Sequence, residues 1–377
     1  MSILTPKEAI DAAIAVYFLK GGNLSPREVF LKYQDLNKRF NFKDTQAFNS
    51  KTGAFIKFKS GFGVIAKGKN ENEALITIRG TKGLSDWITD GNMGMQLSET
   101  SEFVHAGFNR VFNEFNSKVL SFLRQNKINT LHCVGHSLGG ALATLTADAA
   151  SYHGLVGDVK LYTFGSPRVG FDRFSRRFTS NVKPENIYRV HHTTDIVSVI
   201  PEWPFVHVPQ PSNSYCIQGS GHNPITAHFK NNYSSSVKKM NGNTWADLPQ
   251  VHIGETSNEQ VKQWLSKDTV NVLSSFTLSM IGKAISLIVS TANLAVVPSM
   301  TGLDQLSYAL HKAISTGKEA LGLTKMLMKK IMAMVGKTIH DTVNFTASFI
   351  RWVFKLLSDA VYNMVDMAIK IDSTQQP

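Results

Sequence analysis

The sequence predicts an α/β core followed by an all-helical C-terminal region, and three observations carry that expectation. A tight turn, Gly135-His136-Ser137-Leu138-Gly139, joins the apolar run Leu131-His132-Cys133-Val134 to the small-residue run Gly140-Ala141-Leu142-Ala143-Thr144-Leu145. That pattern reads as a buried strand, a turn and a helix packed close to a sheet. Strand-like and helix-like runs then alternate, punctuated by Gly and Pro, through the first two thirds of the chain. From Lys267 onward, long helical apolar patterns replace that texture. At 377 residues the chain exceeds a usual single domain. The expected division is a mainly parallel sheet flanked by helices over residues 1–265 and a helical, amphipathic domain over residues 266–377.

At the N-terminus, Met1-Ser2-Ile3-Leu4-Thr5-Pro6-Lys7-Glu8 carries no basic n-region, and Ala12–Leu19 reads as an amphipathic helix. No secretory signal peptide is expected from this pattern. The chain is then expected to be cytoplasmic at synthesis, with any secretion by a route other than the general one.

A serine on a turn such as Gly135–Gly139 sits in strained backbone geometry that requires neighbours without a Cβ. Its Oγ stands clear of the sheet, at a helix N-terminus that favours developing negative charge. Ser137 therefore reads as a nucleophile. Such a serine needs a base, and the base needs a carboxylate to orient it. Asn186–His192 is strand-like, and Asp195 follows it in Thr193-Thr194-Asp195-Ile196-Val197, the kind of loop where open α/β sheets collect functional groups. An ordinary loop aspartate is the alternative. The histidines downstream are His222, His228 and His252, with His207 as an outsider. His228 lies between a Gly/Pro-containing loop and a helix start, whereas His222 looks like a turn residue. His228 is preferred and His222 stays open as its nearest competitor.

Six ordered segments resemble the class 3 (fungal-type) lipase family of α/β-hydrolases. They are Ile78-Arg79-Gly80-Thr81, Trp87-Ile88-Thr89-Asp90, Val104-His105-Ala106-Gly107-Phe108, Gly135–Gly140, Tyr162–Gly170 and Thr194-Asp195-Ile196-Val197, and the likeness covers residues 70–235. The resemblance implies an α/β-hydrolase core and a serine-dependent carboxylic ester hydrolase. It implies a triad of Ser137, Asp195 and His228, with an oxyanion hole made by Thr81 and by the backbone N–H of Leu138. The family's histidine is commonly followed by an aromatic residue, and Tyr233 fits that position. The stretch from aspartate to histidine is shorter here than in the fungal enzymes. Residues 82–97 fall where the family carries a lid: Trp87, Ile88, Met93, Met95 and Leu97 would face lipid, with Gly83, Gly91 and Gly94 as hinges. A short helix with Trp87 and Ile88 packed on the sheet fits equally.

Two cysteines, Cys133 and Cys216, make no disulfide framework, and Cys133 reads as a small core residue. No clustered His, Cys and carboxylate spacing suggests a metal, and the expected chemistry calls for no cofactor. The formal charge of +12 is large. No zinc spacing, RNP-like run or helix-turn-helix pattern supports nucleic acid as the partner. Attraction to anionic lipid headgroups moves the expected substrate toward glycerophospholipid in membranes.

In the last third, Thr269–Gly282 and Ala284–Leu303 are almost free of charge, and the second approaches the length of a membrane span but carries too many polar residues to be a good one. Phe345, Phe349, Val353, Leu356, Ala360, Met364 and Ala368 follow helical spacing. Leu323–Met334 is Met-rich, basic and amphipathic. Three readings fit: a bundle packed on itself and the hydrolase, a membrane-surface device, or a docking surface for a partner protein. A basic class 3 lipase with appended helices resembles the phospholipase toxins that bacteria deliver by type VI secretion, which implies an immunity protein and a secretion-apparatus component as partners. A helical membrane-permeabilising toxin with an auxiliary hydrolase, a triacylglycerol lipase and a soluble esterase are the alternatives.

Overall fold

The computed structural model describes residues 3–19, 23–48, 51–52, 56–57, 62–69, 72–80, 94–210, 213–218, 223–252, 256–267, 272–290, 301–340 and 343–374. Among the described residues, a central sheet of eight strands runs through the first two thirds. Its strands are β1 (Phe40–Phe48), β2 (Gly63–Gly68), β3 (Glu73–Ile78), β4 (Thr130–His136), β5 (Asp158–Phe164), β6 (Ile187–His192), β7 (Asn213–Ile217) and β8 (Gln250–His252). They lie side by side in chain order. β3 through β7 pair in parallel, while β1, β2 and β8 join antiparallel at the edges. β3 and β4 are buried at every position, as central strands covered on both faces must be.

Alternation of side chains sorts the strand residues between two apolar clusters. Ile76, Cys133 and Leu161 join the cluster that contains α2 (Ala106–Asn126), α3 (Leu138–Tyr152) and α4 (Asp172–Val182). Leu75, Val134 and Tyr162 join the other, with α1 (Pro6–Ala15) and α5 (Lys230–Lys239). α1 opens with a capping box between Thr5 and Glu8 and has Pro6 in its first turn. The helix expected over Ala12–Leu19 is α-helical only to Ala15, and Val16–Leu19 tightens into a 3-10 turn. Cys133 is buried in the core, and burial pushes its thiol up.

A second sheet, four-stranded among the described residues, is built from Met95–Leu97, Phe103–His105, Gly170–Phe171 and Phe205–Val206. Met95 and Leu97, read from sequence as part of a lid, thus form a strand at the edge of this sheet, because backbone pairing with Phe103–His105 fixes them. Trp87, Ile88 and Met93 lie outside the described residues, as do Thr81 and His222.

After α6 (Asn258–Ser266) come α7 (Ser275–Ser290), α8 (Gly302–Ile314), α9 (Lys318–Met334) and α10 (Ala347–Thr374). α7 continues through Lys283, whose ammonium leaves the apolar face and donates to Thr256. Phe345 precedes α10 instead of opening it. The apolar faces of these helices belong to the same cluster as one face of the sheet: Phe62, Phe115 and Leu161 are continuous with Leu327, Val361 and Ile369. Among the described residues, no helix is long and apolar enough to cross a membrane.

Candidate active site

Close approach of α3 to the sheet dictates the glycines of the serine turn. A Cβ on Gly135 would lie 2.2 Å from the backbone of Gly139, and one on Gly139 would lie 2.1 Å from the Ile78 carbonyl oxygen. No side chain fits at either place. Between them Ser137 adopts φ 59° and ψ −134°, a conformation that costs roughly 1–3 kcal/mol and persists only when its surroundings over-determine it. Here the Ser137 N–H donates to the Phe164 carbonyl and the Gly140 N–H to the Ser137 carbonyl, each at 2.9 Å. Leu138 is the first residue of α3, where a backbone N–H has no intrahelical partner.

The structure brings Ser137, Asp195 and His228 together. His228 Nε2 lies 2.8 Å from Ser137 Oγ, and His228 Nδ1 lies 3.0 and 3.1 Å from the two oxygens of Asp195. An ionised carboxylate only accepts, so Nδ1 carries the proton and Nε2 is left to accept from the serine hydroxyl. Asp195 follows β6, as its place in the sequence suggested, and is fully buried. Burial alone would raise its carboxyl, but His228 and the hydroxyl of Tyr233 outweigh that and hold it below the usual range. Tyr233, on α5, donates to Asp195 Oδ2 at 2.7 Å, and the Val197 N–H donates to Oδ1 at 2.9 Å. The Tyr233 oxygen is itself fixed by the His192 N–H at 3.0 Å.

A further polar chain ties the serine turn to the histidine loop. The Gly80 N–H donates to Tyr17 Oη at 2.9 Å, and Tyr17 Oη lies 2.9 Å from His136 Nδ1. His136 Nε2 lies 2.9 Å from the carbonyl oxygen of His228, which can only accept. Nε2 therefore carries the ring proton, Nδ1 accepts, and Tyr17 donates. Burial, reinforced by the neighbouring His228, keeps the His136 imidazole neutral far below the ordinary histidine value.

Two of the other candidates lie apart from this cluster in the described residues. His207 lies against Arg168 and Arg189, at 3.3 and 3.0 Å from its Nε2, and His252 closes the edge strand β8. Sequence reasoning passed over His136 as the variable residue of the turn, and Tyr17, 119 residues away, carried no signal at all.

Residues 75–205 match the family model described as Lipase (class 3). The chain is 33% identical over 156 residues to a secreted mono- and diacylglycerol lipase 1 of Fusarium solani, covering 40% of this chain and 46% of that protein. It is 32% identical over 154 residues to Toxin TseL of Vibrio cholerae, covering 39% of this chain and 22% of the toxin. It is 31% identical over 174 residues to a Phospholipase A1-II 3 of Oryza sativa, covering 37% of this chain and 40% of that protein. A solved fungal lipase aligns with TM-score 0.46 at 21% identity, covering 65% of this chain and 84% of that one. The chain spans less than half the length of the first curated relatives it matches. The likeness to the class 3 lipase family thus lies within residues 75–205, the stretch that carries Ser137 and Asp195.

Proposed function

We propose that this chain is a serine-dependent hydrolase of carboxylic esters in glycerophospholipids, acting at a membrane surface. The observation that carries the reading is the relay from Ser137 Oγ through the His228 imidazole to Asp195, at 2.8 and 3.0 Å. His228 takes the serine proton as Oγ attacks the ester carbonyl carbon, and Asp195 holds the imidazole in the required tautomer. The backbone N–H of Leu138, with Thr81 as second donor, receives the oxyanion, each donor being worth about 3 kcal/mol of barrier. The proton then passes to the leaving alkoxide, and water cleaves the acyl-enzyme. A phospholipid substrate is supported by the likeness to the rice phospholipase A1 and by the net charge of +12. The likeness to a mono- and diacylglycerol lipase favours neutral acylglycerol as the second reading. We extend the proposal to an antibacterial toxin delivered by type VI secretion and neutralised by an immunity protein in its producer, supported by the match to Toxin TseL. Residues 266–377 are proposed as a helical unit that also helps hold the enzyme on anionic lipid.

Mass spectrometry of products from vesicles of defined mixed-chain phospholipids tests this. Acyl release that vanishes in Ser137→Ala is expected. Release from diacylglycerol but not phospholipid would move the assignment to the second reading, and release from neither would end both. Leakage from ether-lipid vesicles that persists in Ser137→Ala would instead favour a permeabilising toxin. Exposed charges are screened beyond about 8 Å at physiological ionic strength, so added salt should weaken vesicle binding while barely changing turnover of a soluble short-chain ester. Binding to neutral and anionic vesicles alike, unchanged by salt, would remove the electrostatic part.

A further inference from the structure

The loop that carries the proposed base is gripped by the C-terminal helix. Lys230 follows His228 by two residues, and Asp372 lies in the last turns of α10, 142 residues farther on. The Lys230 backbone N–H donates to Asp372 Oδ1 at 3.2 Å. The Lys230 ammonium donates to the same Oδ1 at 3.2 Å and to the Asp372 backbone carbonyl at 2.8 Å. Both residues are buried, at 3% and 7% exposure, so the two opposite charges offset each other's loss of water. The ammonium also sits 5.4 Å above the ring of Tyr17, the residue that fixes His136 and, through it, the His228 carbonyl. His228 is therefore held from both sides. The acid loop has a matching contact, because Ser275 at the start of α7 donates to the carbonyl of Thr193, two residues before Asp195.

We propose that Asp372, acting through Lys230, is a positioning residue for His228, which makes the helical region part of the catalytic apparatus and not only an attachment. This rests on the ester-hydrolase reading above. Removing the pair leaves the triad residues in place but frees the loop on one side. A displacement of about 1 Å at a reacting group can cost on the order of a hundredfold in rate.

The test uses the full-length protein with Lys230→Met, Lys230→Arg and Asp372→Asn. Active serines are counted by stoichiometric labelling with an organophosphonate, and turnover of a soluble short-chain ester is expressed per labelled serine. Lys230→Met and Asp372→Asn are expected to lower kcat by about ten- to a hundredfold with little change in KM, and Lys230→Arg to recover part of the loss. A merely structural contact would reduce the number of labelled serines without changing turnover by each, and that result, or wild-type behaviour in both variants, overturns the proposal. A wild-type protein that neither labels nor hydrolyses the ester would defeat the functional reading itself, which is a separate outcome.

Discussion

At Asp195 the geometry separates a carboxylate that merely sits near a histidine from one that is fixed. Two donors, the Tyr233 hydroxyl and the Val197 N–H, leave the aspartate one orientation, and that orientation aims both oxygens at His228 Nδ1. A hydrogen bond to a charged group contributes about 1.5–3 kcal/mol. Tyr233→Phe should therefore lower kcat roughly tenfold while leaving KM for a soluble ester unchanged. An unaltered kcat would reduce Tyr233 to a packing residue. Ser137→Ala, Asp195→Asn and His228→Ala should each remove most hydrolysis, with double variants scarcely worse than single ones, because the three act as a unit. Additive losses in those kinetics would argue against a relay.

Among the elements, α3 and the strands beneath it set the tightest tolerance. The 2.1 Å separation awaiting a Cβ at Gly139 involves the carbonyl of a central strand, which cannot swing aside as a flexible side chain would. Gly139→Ala should thus cost about 3 kcal/mol, the upper end for overpacking, and distort the serine turn as well. Gly322, in the interior of α9, offers the contrast: nothing lies within 4 Å of its missing Cβ. Gly322→Ala should stabilise the protein by about 1 kcal/mol, the difference in helix propensity. Urea unfolding of the two variants checks both signs, and a destabilised Gly322→Ala or a neutral Gly139→Ala would contradict the packing described.

For the whole molecule, the buried His105 and His136 and the half-buried His191 and His207 govern the response to acid. Burial lowers His105 to about 4 and His191 to about 3, and it drives His136 and His207 well below their ordinary value. In the unfolded chain each returns to about 6.5. Because the folded values are depressed, the unfolded chain binds more protons below that point. Stability is complete above about pH 6.5 and is lost as pH falls toward the folded values. Each such group contributes a slope of up to about 1.4 kcal/mol per pH unit. Calorimetry should show Tm declining between pH 6.5 and 5, with proton uptake on unfolding. A flat Tm across that interval would mean that the fold does not hold these side chains neutral.

Features that depend on neighbours along the chain are legible in the residues alone. Ser137 was legible because its strained turn, close-packed glycines and helix start occupy consecutive residues. The alternation of Leu75 with Ile76, and of Cys133 with Val134, follows from strand geometry alone. Asp195 was legible as a residue just past a strand, and His228 as one at a loop-to-helix junction, preferred to His222 without being settled. Contacts across the fold come from packing. The bond from Tyr17 to His136 spans 119 residues, and the Lys230–Asp372 pair spans 142. Neither leaves a local trace, because an isolated tyrosine, lysine or aspartate reads as a solvated side chain until apolar burial elsewhere brings its partner close. The helical region shows the same division: its amphipathic periodicity is written in the sequence, but its docking on the face that carries α3 was chosen by the apolar cluster shared with the sheet.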